Sequence, residues 1–299
     1  MCRNQSLITI LTPTYNRANR LQKLYESLKS QTEKEFNWLI VDDGSTDYTE
    51  NLVKGWQQKK ELEIRYIKKQ NGGKHTALNE GIFQIRTKLT FIVDSDDFLP
   101  SMAIETIIKY HQKYCDLPGL CGYSFLRFYP DGSVNDSFYS ENEKIDTYVN
   151  ARINAGIGGD KAEVFFTDIL KKYPFPVFGK ERFLPEDLVW VKMSGPYKMV
   201  HINECIYISE YLEEGLTKSG RKMKLKSPIG MTARSAAYLE DNTVNFKTKC
   251  KMAFLYQIYA NVCGQNQAIK IQNWKSKVLL VFFWMPGRLS SVIWKKKYK

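Results

Sequence analysis

Closely spaced cysteines and abundant histidines are both missing from this chain. Its six cysteines, Cys2, Cys115, Cys121, Cys205, Cys250 and Cys263, contain no Cys-x-x-Cys spacing, and there are only three histidines, so a structural zinc site is not expected. Reduced thiols in a cytosolic setting fit this pattern best. No apolar run approaches the roughly 20 residues of a membrane-spanning helix. The run at 278–285 is far too short to span. Residues 1–5 lead straight into a strand-like segment, without the charged region and apolar core of an export signal, so a cytoplasmic location is the expectation. Acidic residues are absent from 270–299, which hold eight Lys and Arg, and from 218–226, which hold five. These two patches account for the formal charge of +12 and leave the rest of the chain close to neutral, which argues against a general nucleic-acid groove. No internal repeat or low-complexity segment is present.

What the chain does have is enough apolar content, 43% of 299 residues, to bury a core. Through the first 120 positions, short apolar runs alternate with helical patterns, which predicts βαβ units and a mostly parallel sheet. The spacing predicts strands at 6–12, 38–41, 62–67 and 89–93. Helices are predicted at 18–30, with Leu21, Leu24, Tyr25 and Leu28 on one face, then around Leu52, Val53 and Trp56, and at 74–85. Residues 70–73 read as a turn. Beyond 122 the alternation fades: 123–129 reads as a strand, 130–133 as a hairpin turn, 133–138 as its return, and 163–172 as a short helix.

The strand ends carry the chemistry. Thr12-Pro13-Thr14-Tyr15-Asn16, Asp42-Asp43 and Asp94-Ser95-Asp96-Asp97 each follow a predicted parallel strand, and parallel strands deliver such ends to one crevice. Three acids in four residues repel one another and call for a positive partner such as a divalent cation. A polar turn capping the next helix, with Ser101 as its cap, is the alternative. Asp42 reads equally well as the turn's own hydrogen-bonding group. Gly72-Gly73 before a helix offers backbone N–H groups, and Lys74 adds a positive charge there, a combination suited to a phosphate or ribose. His75 and His201 read as packing or strand residues.

Thr-Pro-Thr-Tyr-Asn-Arg at 12–17, Val-Asp-Asp-Gly-Ser-Thr-Asp at 41–47, Asn-Gly-Gly-Lys-His-Thr-Ala-Leu-Asn at 71–79 and Asp-Ser-Asp-Asp at 94–97 resemble, in order and spacing, the family-2 glycosyltransferases of the GT-A fold. The resemblance covers roughly 6–130 and reaches about 215 through Phe183-Leu184-Pro185-Glu186-Asp187. It implies an α/β fold with a Rossmann-like, mostly parallel sheet flanked by helices. The expected organisation is a catalytic domain at 1–215, its nucleotide-sugar half about 1–120 and its acceptor half about 121–215, followed by a basic, mainly helical extension at 216–299. The implied activity is inverting transfer of a sugar from a nucleotide-sugar, usually a UDP-sugar, to the hydroxyl of a saccharide or lipid-linked saccharide, as in surface polysaccharide or glycolipid assembly. Mg²⁺ or Mn²⁺ would neutralise the departing diphosphate.

On the family pattern Asp96 resembles the metal ligand, Asp94 lies nearer the ribose, and Asp97 either helps the metal shell or caps the helix. Tyr15 resembles the aromatic that stacks on the base and Asp43 the carboxylate at its edge. Thr12, Gly73, Lys74 and Ser95 complete the expected donor contacts. Asp187, then Glu186, resembles the base that takes the acceptor proton, although acids at a helix N-terminus also simply favour its dipole. Gly158-Gly159-Asp160-Lys161 reads as an acceptor-side loop or a plain one. Residues 211–221 resemble a segment that closes over the diphosphate, with Lys218 and Arg221 as phosphate partners. The tail around 274–297, apolar with tryptophans and flanking lysines, reads either as an anchor on the inner membrane surface or as a packed or partner-binding helix. The rival functions are a metal-dependent nucleotidyltransferase, disfavoured by the absence of glycine from 12–20, and a non-enzymatic membrane-surface adaptor.

Overall fold

The computed structural model describes the backbone of residues 6–210 and 216–298. Contacts divide the chain into two compact units, Met1–Asp146 with Ile157–Pro174 and Tyr197–Tyr211, and Thr147–Gly156 with Phe175–Pro196 and Leu212–Lys299. The last boundary between the units falls between Tyr211 and Leu212. The segment that carries Glu186 and Asp187 belongs with the C-terminal helices and not with the sheet.

The first unit holds an eight-stranded sheet with flanking helices. Its elements are β1 (Ile8–Thr14), α1 (Ala18–Lys29), β2 (Phe36–Asp42), α2 (Thr49–Lys59), β3 (Ile64–Lys68), α3 (Lys74–Gln84), β4 (Leu89–Ile92), α4 (Ala103–Tyr114), β5 (Leu120–Phe128), β6 (Lys144–Asp146), β7 (Lys161–Phe166), α5 (Thr167–Leu170) and β8 (Lys198–Ile208). The strand order is β3-β2-β1-β4-β7-β5-β8-β6. β1 pairs in parallel with both β2 and β4, and β2 in parallel with β3. Every residue of β1 is buried, as expected for a central parallel strand covered on both faces. The predicted face of α1 is the face that packs: Leu21, Leu24, Tyr25 and Leu28 are buried, and Tyr25 stacks on Trp56 of α2 at 4.3 Å between ring centroids. Ser101 does not cap α4; the cap position is Met102, with no side-chain cap hydrogen bond.

The first four residues of the helix predicted at 163–172 are strand. β7 runs from Lys161 to Phe166 and inserts antiparallel between β4 and β5, leaving only the four-residue α5 of the expected helix. Val164, Phe165 and Phe166 are residues that favour a pleated surface, and with β4 and β5 on either side two ladders of backbone hydrogen bonds outweigh the helical tendency of the lysine-rich stretch that follows. The return strand expected at 133–138 shrinks to a single bridge between Phe128 and Val134. The ammonium of Lys161, read as an acceptor-side contact, turns inward and donates to the carbonyl of Gly158 at 3.0 Å. His75, His111 and His201 are all buried.

The second unit contains α6 (Asp187–Met193), α7 (Leu216–Lys226), α8 (Pro228–Glu240), α9 (Phe246–Cys263), α10 (Trp274–Phe282) and α11 (Trp284–Tyr298). Glu181 fastens the start of α8, its two carboxylate oxygens accepting from the N–H groups of Ile229 at 2.8 Å and Gly230 at 2.7 Å. No single helix among the described residues is long and apolar enough to cross a membrane, but α10 and α11, bent by 59°, pass that test of length and composition as a pair.

At Gly122 the backbone of β5 comes close to that of β7. The φ of Gly122 is +154°, and a Cβ there would lie 2.1 Å from the carbonyl oxygen of Val164 on β7. Only glycine allows strands this close. Gly122→Ala should therefore lower the unfolding free energy by about 3 kcal/mol in a urea titration. A change within about 0.5 kcal/mol, the range of neutral surface substitutions, would contradict this account of the β5–β7 pairing.

Candidate active site

The C-terminal ends of β1, β2 and β4 open onto one edge of the sheet. After Thr14 the chain reverses through Asn16, whose positive φ of 51° is a conformation asparagine tolerates. The side chain of Asn16 accepts from the N–H of Thr46 at 2.8 Å, and its own N–H donates to Ser45 Oγ at 2.8 Å. These bonds tie the loop after β1 to the loop after β2 and leave Tyr15 projecting, 45% exposed. An exposed aromatic on a fixed turn is a platform for a flat ligand.

The two aspartates after β2 divide their work. Asp42 is the turn's own partner, accepting from the N–H of Ser45 at 2.7 Å and from the hydroxyl of Tyr66. Burial, and then that bond to Asp42, push the Tyr66 phenol well above its ordinary range. Asp43 closes a clasp: its carboxylate accepts from the N–H groups of Gly72 at 2.9 Å and Gly73 at 2.7 Å and from Lys69 Nζ at 2.8 Å. The glycine N–H groups expected to meet a phosphate are thus already satisfied by Asp43. Thr12 is likewise placed differently from expectation. It is fully buried, and its hydroxyl accepts from Trp38 Nε1 at 2.9 Å.

Three of the four residues at 94–97 are acids, and each meets a base or a donor from another element. Lys74, the first residue of α3, pairs with Asp94. Arg17 reaches Asp96 at 3.3 Å. Arg127 on β5 lies 4.0 Å from Asp94 and 3.9 Å from Asp97, with its guanidinium 3.9 Å above the ring of Tyr207. Tyr207 joins the ends of β4 and β8: its oxygen accepts from the N–H of Asp94 at 2.9 Å and donates to Asp97 at 2.8 Å. Burial favours a neutral Asp94, but Lys74, Arg127 and Arg17 together outweigh it and hold that carboxyl below the usual carboxylate range. At Asp97 burial and the neighbouring Asp94 prevail, and its carboxyl is pushed up to about 7. Asp97 also accepts from the N–H of Glu210 at 3.0 Å, so it neither caps α4 nor stands open as a ligand. Ser95 is buried beside it.

Among the described residues no group of three His, Cys, Asp or Glu side chains is arranged to hold a metal. Mg²⁺ and Mn²⁺ sites at phosphates commonly need only one or two carboxylates, with the substrate supplying further oxygens. The carboxylates of Asp94 and Asp96, each with its side chain 27% exposed, are hard oxygen donors of that kind. The donor set fits such an ion.

Sequence reasoning missed Arg17, Lys69, Arg127 and Tyr207. Arg17 ends the motif at 12–17 but was given no role there; Lys69, Arg127 and Tyr207 are single basic or aromatic residues with no local motif, brought in from different elements by the topology.

Glu186 and Asp187 lie in the second unit, at the start of α6. Asp187 is held by Arg234 of α8, whose Nε is 2.8 Å from Oδ1 and whose Nη2 is 2.5 Å from Oδ2, and Oδ2 also accepts from Tyr238 at 2.7 Å. Burial pushes the Asp187 carboxyl up, but the charge and hydrogen bonds of Arg234, with Tyr238, bring it below its ordinary range. Of the segment read as closing over a diphosphate, 211–215 and the side chain of Lys218 lie outside the described residues. Arg221 is committed elsewhere, donating to the Tyr298 hydroxyl at 2.6 Å beside the ring of Trp294.

The fold of the chain is shared with solved structures. The chain superposes on S. aureus TarS 1-349 with a TM-score of 0.62 at 17% identity, over 94% of this chain and 80% of that one. The mannosyltransferase PcManGT of Pyrobaculum calidifontis, solved with GDP-Man and Mn²⁺, gives 0.57 at 14% identity, over 97% and 84%. The glycosyl transferase family 2 model matches residues 9–171, more than half of the chain, and the chain belongs to that family. Among characterised relatives, the GalNAc(5)-diNAcBac-PP-undecaprenol beta-1,3-glucosyltransferase of Campylobacter jejuni is 26% identical over 191 residues, 62% of this chain and 59% of that protein. Glycosyltransferase GlyA of Streptococcus pneumoniae is 34% identical over 102 residues, 34% of this chain and 14% of that protein. The chain thus spans less than two thirds of the length of these relatives.

The Asp187–Arg234 pair gives a stability prediction. Removing one partner strands a largely buried charge, so Asp187→Asn should cost about 3 kcal/mol in chemical unfolding, while Glu186→Gln should change stability by less than about 1 kcal/mol. Equal losses in the two variants would refute the structural part assigned to Asp187.

Proposed function

We propose that this chain transfers a sugar from a nucleotide-sugar, a UDP-sugar by preference, to a hydroxyl of a saccharide or lipid-linked saccharide acceptor, with inversion at the anomeric carbon. The observation that carries the reading is the meeting of Asp94 and Asp96 with Lys74 and Arg17 at the end of β4, inside the stretch matched by the family. TarS has been solved with UDP and with UDP-GlcNAc, and the C. jejuni relative is named for a lipid-linked acceptor, which supports the choice of donor and acceptor class.

In this reading Tyr15 stacks on the base, and Asp43, held rigid by Gly72, Gly73 and Lys69, presents a carboxylate edge to it. Thr12 acts only through the core. Asp96, with Asp94, would hold Mg²⁺ or Mn²⁺, which supplies Lewis-acid neutralisation of the diphosphate as the glycosidic bond breaks. Lys74 and Arg17, which face these carboxylates, turn to the phosphate oxygens when the donor enters. Their charge is conserved and only the partner changes. Asp97, Tyr207 and Arg127 keep the loop after β4 in place.

Asp187 takes the acceptor proton, with Arg234 and Tyr238 as positioning residues; Oδ1, which accepts one hydrogen bond against the three at Oδ2, is the receiving atom. Glu186 is the second choice for this role.

Isothermal calorimetry of the full chain with UDP, with and without Mn²⁺, tests the donor site. The expected result is binding that depends on Mn²⁺ and weakens at least about tenfold in Asp96→Ala, a loss of about 1.4 kcal/mol or more. Absence of binding to UDP and to GDP under both conditions would overturn the reading.

A further inference from the structure

The last two helices are built inside out. Small residues form the face of α10 and α11 that turns inward: Ser276, Gly287 and Ser291 are buried. Ser276 donates to the carbonyl of Leu239 at 2.6 Å, and a Cβ at Gly287 would sit 2.4 Å from Cβ of Gln257 on α9. Many of the large apolar residues face outward. Val278, Val281, Phe282, Leu289, Val292 and Ile293 are each between 60% and 77% exposed. Within each helix they recur at three and four residues, so each helix carries an outward apolar stripe. An ordinary surface helix buries the large residues and exposes the small polar ones.

The break itself is built in. Pro286 removes a backbone donor in the first turn of α11, and Gln257 Nε2 donates to the carbonyl of Leu280 at 2.8 Å just before the bend. Phe283 against Phe254 and Trp294 against Tyr259 fix the pair to α9. The outward stripes are therefore held in place by packing on their other side.

Charge selects the occupant. Residues 270–299 carry eight Lys and Arg and no acid, and Lys275, Lys277, Arg288, Lys296 and Lys297 are exposed beside the stripes. Exposed Trp274 and Trp284 add rings suited to a boundary between water and hydrocarbon. A second copy of this face would bring like charge against like. An anionic lipid surface offers hydrocarbon to the stripes and opposite charge to their rim.

We propose that α10 and α11 dock the protein on an anionic membrane surface, lying in the interface with the apolar stripes immersed. At 1.5 Å per residue the two helices are about 14 and 22 Å long, each shorter than a hydrocarbon core of about 30 Å, and each keeps one face on α9. They lie on the bilayer and do not cross it. The proposal stands independently of the chemistry at the ends of β1, β2 and β4.

Flotation of the full chain with phosphatidylcholine vesicles containing about 30% phosphatidylglycerol, and with phosphatidylcholine alone, tests it. Partitioning should be at least about tenfold stronger on the anionic vesicles, and should fall as far in Val281→Ser/Phe282→Ser/Leu289→Ser and in Lys296→Glu/Lys297→Glu. All five positions are exposed, and an unchanged thermal midpoint confirms that each variant folds. Failure to float with anionic vesicles would overturn the proposal. So would equal partitioning on both vesicles, or a dimer seen by light scattering that the serine variant abolishes.

Discussion

Like charges crowd the crevice where the parallel strands end, and their repulsion has to be answered before the fold can close. Asp43 stands after β2, and Asp94, Asp96 and Asp97 stand after β4. Each is met by a group from elsewhere in the sequence: Lys69 and the Gly72-Gly73 turn, Lys74, Arg17, Arg127 and Tyr207. The strand order places β1 between β2 and β4 and so gathers the loops that follow them, while Arg127 and Tyr207 come from β5 and β8 on the far side of β4. A diphosphate with a divalent cation carries both signs of charge into the crevice. It can therefore exchange partners with the protein without stranding a charge, which is the electrostatic basis of the proposed donor site.

The division between what was legible in the sequence and what was not follows the range of the interactions. The βαβ region was legible because its strands are short apolar runs and α1 shows its buried face at a helical period. β7 was not: its residues 161–166 gain their strand character from β4 and β5, which are distant in sequence. At the site, acids at strand ends could be found by local pattern, because clustered like charges are conspicuous. Of the cations that balance them only Lys74 stood out, beside the Gly72-Gly73 turn; Arg17, Lys69 and Arg127 look like surface residues until the topology gathers them. Asp43 shows the limit most clearly. Its position after β2 was evident, but only the structure reveals that it consumes the Gly72 and Gly73 N–H groups that the turn seemed to offer to a phosphate.

The second unit is organised by a different pair. Asp187 and Arg234 join α6 to α8 through a bidentate bond that Tyr238 completes, and Glu181 fastens the N-terminus of α8. In the same unit, Ser276, Gly287 and Ser291 let α10 and α11 seat closely on the helices beneath them, so many of the large apolar residues are left facing out.

Hydrogen–deuterium exchange of the full chain, with and without UDP and Mn²⁺ together, tests most directly whether the crevice at the ends of β1, β2 and β4 receives the donor. The account predicts that protection rises in 14–17, 43–47, 71–76 and 94–97 and in no other part of the sheet unit. Protection that leaves these four segments unchanged, while UDP is demonstrably bound, would contradict it.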